Sequence, residues 1–108
     1  MFSELVHSET RDGFDINLYF IPEDTAPDWD FESESEKQEL LYKIDRGIYL
    51  WFIAKVTASK FGVELGTDYI GGCCYESIDD FIQSGDYYDD MVNQAISRAK
   101  SNIRRLTT

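Results

Sequence analysis

Ile48-Tyr-Leu-Trp-Phe-Ile-Ala-Lys-Val-Thr-Ala58 is the stretch on which the fold turns. Aromatic and β-branched residues dominate it, as in a strand. Its first half is apolar on both faces, which places it centrally in a sheet covered on one side by helices. Phe61-Gly62 supplies a turn, and residues 63–75 read as the return strand. Gly66, Gly71 and Gly72 interrupt that strand, and the adjacent pair predicts a bulge or a close backbone approach.

Upstream, residues 4–10 and 14–21 flank Arg11-Asp12-Gly13 and form a second hairpin, because Asp-Gly supplies the positive φ of a tight turn. Phe14, Ile16, Leu18 and Phe20 alternate with Asp15, Asn17 and Tyr19, a period of two that buries one face. Residues 22–31 carry both prolines and read as a loop. A helix follows, with capping-box spacing at Ser33/Glu36 or Ser35/Gln38, a Leu40–Leu41–Ile44 stripe, and Gly47 past its end.

Downstream, Ser77 and Asp80 have the same capping spacing before a short helix bearing Ile78, Phe81 and Ile82. Gly85 breaks it, and Asp86 is expected to cap a last helix running to about Leu106. Tyr88, Met91, Val92, Ala95, Ala99, Ile103 and Leu106 make its apolar stripe. The expectation is a single α+β domain over residues 1–108, in the order β-β-α-β-β-α-α. An antiparallel sheet of about four strands arises from two hairpins, with the helices packed on one face and the last helix as the main cover.

At 108 residues and 43% hydrophobic content, the chain can bury one core without a metal or disulfides. The charge is lopsided: 21 acids stand against 10 bases, giving −11. Residues 23–36 hold seven acids and no base, and residues 76–90 hold six acids and no base. Such a surface repels phosphate, so direct binding to nucleic acid or to anionic membrane is disfavoured. The four bases of residues 98–108 are expected to complement the dipole at the end of the last helix.

No chemistry-bearing set emerges. His7 is the only histidine, and Cys73 and Cys74 are adjacent, so they point to opposite faces of a strand and cannot complete a zinc site. Both read as small buried residues, and the chain reads as cytoplasmic, with no disulfide framework and no signal segment. Asp86, Asp89 and Asp90 share a helical face, but the alternating loop of a calcium site is lacking, and acids at a helix start are explained by the dipole. The glycine-rich residues 66–72 lack the Lys and Ser/Thr of a phosphate loop. The reading is a non-enzyme with no cofactor and no metal.

The Trp51-centred strand ends in Val56-Thr57-Ala58. Gly62-Val63-Glu64-Leu65-Gly66 follows, then Ile70-Gly71-Gly72 and a closing Tyr75 before a capped helix, with Tyr88 and Met91 downstream. This pattern resembles that of small acidic orphan proteins carried by phages and plasmids, over the C-terminal half of the chain. Several anti-defence proteins of such elements, including anti-restriction and anti-CRISPR proteins, are small, acidic and single-domain, and some present carboxylates as a DNA mimic.

The resulting expectation is a protein-interaction protein, an inhibitor or DNA mimic that engages a cationic nucleic-acid-binding protein through an acidic face. The candidate residues are Asp24, Asp28, Asp30, Glu32, Glu34, Glu36, Asp79, Asp80, Asp86, Asp89 and Asp90. The alternative is a homo-oligomeric structural or regulatory domain, a homodimer for instance, that uses Trp29, Phe31, Tyr87 and any outward face of Trp51.

Overall fold

The structure, a computed structural model, describes residues 3–24, 27 and 32–107. Strands β1 (Glu4–Arg11), β2 (Phe14–Pro22), β3 (Leu50–Lys60) and β4 (Val63–Tyr75) are joined with helices α1 (Glu34–Asp45), α2 (Ile78–Gln83) and α3 (Tyr88–Thr107) in the expected order. The sheet runs β1-β2-β3-β4, antiparallel throughout, so β3 is indeed an inner strand.

Two-residue turns close both hairpins. Asp12 and Gly13 have φ of 55° and 80°, and Phe61 and Gly62 have φ of 55° and 78°. Two left-handed residues in succession match the twist of the strands they join. Phe61 accepts this strained conformation at a position where it is 94% exposed. The central strand starts two residues later than the apolar run, because the amides of Ile48 and Tyr49 bond back to the Lys43 carbonyl and close α1. Gly47, at φ 77°, makes that reversal possible.

Alternation decides the core. Phe14, Ile16 and Leu18 of β2 and Phe52, Ala54, Val56 and Ala58 of β3 point the same way and are buried. Against them lie Met91, Val92, Ala95, Ile96 and Ala99 of α3, with Phe81 of α2. Burial of each large side chain contributes roughly 1.5–3 kcal/mol. Phe52 packs on Phe20 and Phe81 at ring distances of 5.1 and 5.5 Å, and Tyr75 meets Phe81 at 5.2 Å, which anchors the short α2. Leu106, expected in the apolar stripe, is 78% exposed, at the rim of an open cavity it shares with Val63 and Leu65 at the start of β4.

Gly66 brings α3 onto β4. A Cβ there would land on the Ala95 carbonyl oxygen, with the Ala99 amide nitrogen 2.7 Å away. Beside this contact, Arg98 and Asn102 donate to the carbonyls of Thr67 and Leu65, each at 2.6 Å. These side chains occupy backbone acceptors of the edge strand. Gly71 and Gly72 form the predicted bulge: β4 carries one residue more than β3 between the Phe52–Cys73 and Ala54–Ile70 pairs, and Gly72 has φ 68°.

Helix α1 behaves differently from α2 and α3. Ser33 caps it through the Glu36 amide, choosing the first of the two capping alternatives. Yet α1 buries no residue, and Leu40, Leu41 and Ile44 are only half-buried. The radius of gyration, 16.2 Å, exceeds the roughly 13 Å of a sphere-like domain of this length. The long dimension is 57 Å against 27 and 22 Å.

Candidate interaction surface

The sheet sorts the charge. The end of β2, the start of β3 and the end of β4 lie together, since Pro22 pairs with Phe52 and Leu50 with Tyr75. Both acidic segments leave the sheet from this end. Asp24, Glu32, Glu34, Glu36, Asp79, Asp80, Asp86, Asp89 and Asp90 lie at the surface. Asp28, Asp30, Trp29 and Phe31 lie outside the described residues.

Ion pairs reach few of these acids. Arg11 binds Glu9 and Asp89 at 2.8 and 3.1 Å, Arg98 binds Asp68 at 2.7 Å, and Lys100 binds Asp12 at 2.6 Å. Among the described residues only Asp89, of the candidate acids, forms an ion pair. Glu34 accepts from Gln38 at 3.1 Å, and the Lys43–Glu39 pair sits further along α1. Arg98 and Lys100 of α3 therefore neutralise Asp68 on β4 and Asp12 at the first turn, while Asp15 and Glu64 form no ion pair among the described residues. Arg98 and Lys100 act through these tertiary contacts rather than as dipole complements; Arg104 and Arg105 occupy the last turn.

Asp86 departs from expectation. It lies before α3 and accepts the Tyr75 hydroxyl at 3.0 Å, instead of capping the helix or sharing a face with Asp89 and Asp90. Burial and this carboxylate together push the Tyr75 hydroxyl up to about 12. The residue that accepts the Met91 amide is Tyr87, which is 47% exposed. Glu23 serves the fold locally, because its carboxylate accepts the Gly72 amide of the bulge at 3.2 Å.

A well-connected side-chain cluster among the described residues is one that the sequence reading does not single out. Glu9 accepts from the Tyr88 hydroxyl at 2.8 Å and from the Arg11 Nε at 3.0 Å, and its Oε2 lies 3.0 Å from the His7 Nε2. His7 also packs edge-on against the Tyr88 ring, at 5.7 Å. Burial alone would raise the Glu9 carboxyl, but the three donors and the Arg11 charge outweigh it and hold the group low. Burial, then Glu9, push the Tyr88 hydroxyl up. Part of the signal is local: His7, Glu9 and Arg11 alternate on one strand and so face the same way. Their partner Tyr88 is 79 residues from Glu9 and invisible locally. The cluster fastens β1 to α3.

Cys73 is buried and Cys74 half-buried, as opposite-facing neighbours on a strand should be. Burial pushes the Cys73 thiol up to about 11 and raises Cys74 as well, so neither is an activated nucleophile. Among the described residues, no group of three His, Cys, Asp or Glu is placed to hold a metal ion, and no helix is long and apolar enough to cross a membrane. No family model matches the sequence, and comparison with curated proteins and with solved structures finds no match to it.

Proposed function

We propose that this chain is a small acidic protein-interaction protein whose α1–α2 end engages a cationic surface of another protein. The observation that carries the reading is that both acidic segments leave the sheet from the same end. Arg11, Arg98 and Lys100 match Glu9, Asp89, Asp68 and Asp12 on the hairpins and at the start of α3, while Asp15 and Glu64 beside the turns form no ion pair among the described residues. Glu32, Glu36, Asp79, Asp80 and Asp90 are exposed and likewise form no ion pair among the described residues. An unmatched acidic end steers a basic partner and competes with phosphate for it.

The partner class that fits is a nucleic-acid-binding protein, with the acidic end acting as an inhibitor or DNA mimic. The resemblance to phage and plasmid orphan proteins supports this choice. On this reading the protein is cytoplasmic, has no catalytic activity, and binds neither nucleic acid nor membrane directly. The test is affinity capture at low salt with the intact chain and with Glu32, Glu34 and Glu36 changed to Gln and Asp79, Asp80 and Asp90 to Asn. The intact chain should retain a basic protein that added DNA displaces, and the neutralised variant should not. Equal retention by both would refute the reading.

A further inference from the structure

We infer that the sheet face opposite α3 is a self-complementary docking surface for a second copy of this chain. The surface is independent of the acidic end. Among the described residues no helix covers its middle, where Leu5 and Tyr69 are 53% and 57% exposed. The charged residues that strand alternation and register place on its three middle rows are Lys55, Asp15 and Glu64.

The arrangement of those rows picks the occupant. Ser8, Asn17, Thr57 and Thr67 are register partners across all four strands and form the central row. Thr57 is buried at 2% exposure, but Ser8, Asn17 and Thr67 reach the surface. Because hydroxyls and amides both donate and accept, each of these can meet its own copy, which a charged group cannot do. A two-fold axis lying along this row sets each strand antiparallel over itself and exchanges the flanking rows. One flanking row holds Tyr19, Lys55 and Tyr69, and the other holds Asp15, Ser59 and Glu64.

After that exchange, Lys55 of one copy stands over Ser59 of the other, between the second copy's Asp15 and Glu64. Tyr69 stands over Glu64, which can accept its hydroxyl proton in a hydrogen bond. Within one copy Lys55 forms no ion pair with the described residues; its ammonium lies 5.5 Å from the Tyr19 ring and 5.8 Å from the Tyr69 ring. The cation of the three rows is thus held upright by two aromatic neighbours, with its carboxylates supplied by symmetry. Aligned sheet packing, offset by about 30°, accommodates the stack.

Size sets the strength. Four strands about 4.8 Å apart, over about six residues of length, give a patch roughly 20 Å square. That lies below the roughly 800 Å² per partner of standard interfaces, so the dimer is weak and concentration-dependent. The −11 charge of each copy opposes association at long range, so salt should favour it.

Sedimentation equilibrium of the full chain tests this, from micromolar to about 1 mM protein and at about 0.05 and 0.5 M salt. A monomer–dimer equilibrium that shifts towards dimer at the higher salt is expected. Asn17→Arg, which puts like charges on the axis, should leave a monomer. Lys55→Asp should weaken the dimer by about tenfold or more, and adding Asp15→Lys should restore most of it. Thermal unfolding of each variant at dilution checks its fold, and recovery in the charge-swapped pair does not depend on any single variant folding perfectly. Monomer mass under all conditions would overturn the proposal, as would a dimer indifferent to Asn17→Arg or a charge swap that recovers nothing.

Discussion

The hydroxyl of Tyr88 donates to the carboxylate of Glu9 at 2.8 Å and so ties the first strand to the start of the last helix. Tyr88 is 1% exposed, and its ring makes edge contacts with both His7 and Phe81. Tyr88→Phe keeps the ring and removes the donor. We expect a loss of about 2 kcal/mol in urea unfolding, the usual scale for a hydrogen bond to a charged acceptor. A change below about 0.5 kcal/mol would mean that His7 and Arg11 satisfy Glu9 without it.

Acid sensitivity follows from the same carboxylate. The folded state holds Glu9 below its ordinary 4.5, so the folded state favours the ionised form. Its contribution is present above that ordinary value and is lost as pH falls through the lower folded one. Stability should therefore decline on acidification from about pH 5, and Glu9→Gln should flatten part of that decline while lowering stability at pH 7. A mutant with the same pH slope as the parent would remove Glu9 from the account.

Two glycines should respond to alanine for opposite reasons. Gly66 has an ordinary φ, but its Cβ would strike the α3 backbone, which cannot give way as a side-chain tip can. Gly66→Ala should cost about 2 kcal/mol or more, as overpacking does. Gly85 has open space around it and φ of 75°, so Gly85→Ala should cost only about 1 kcal/mol of backbone strain. Thermal unfolding that ranks them the other way would contradict the close approach of α3 to β4.

Thiol labelling reads the strand geometry. Cys74 is half-buried and Cys73 buried, and burial raises both thiols. A maleimide at pH 8 should modify one cysteine per native chain, slowly, and Cys74→Ser should abolish that modification. Rapid labelling of two thiols would show that the bulge end of β4 opens.

The hairpins, the glycine bulge and the amphipathic α3 are legible in the sequence because each rests on a local rule: turn chemistry, strand alternation or helical period. Asp12-Gly13 and Gly71-Gly72 announce themselves in this way, and Ser33 and Ser77 read as caps from spacing alone. Asp86 does not follow its local rule, because a tyrosine from β4 claims its carboxylate, a tertiary event. The Leu40–Leu41–Ile44 stripe is legible but its half-exposure is not, since periodicity shows which face is apolar and not what covers it. The Glu9 cluster needs β1 and α3 brought together. Acid counts point to the candidate surface, while which carboxylates are neutralised depends on where Arg11, Arg98 and Lys100 reach.

The most direct test of the acidic-end account compares capture by the intact chain with capture by the six-acid variant, at low salt, with and without competing DNA. The account predicts a basic nucleic-acid-binding protein retained by the intact chain, released by DNA or by about 0.5 M salt, and absent from the variant. Capture that is unaffected by neutralising Glu32, Glu34, Glu36, Asp79, Asp80 and Asp90, or no basic protein captured at all, would contradict it.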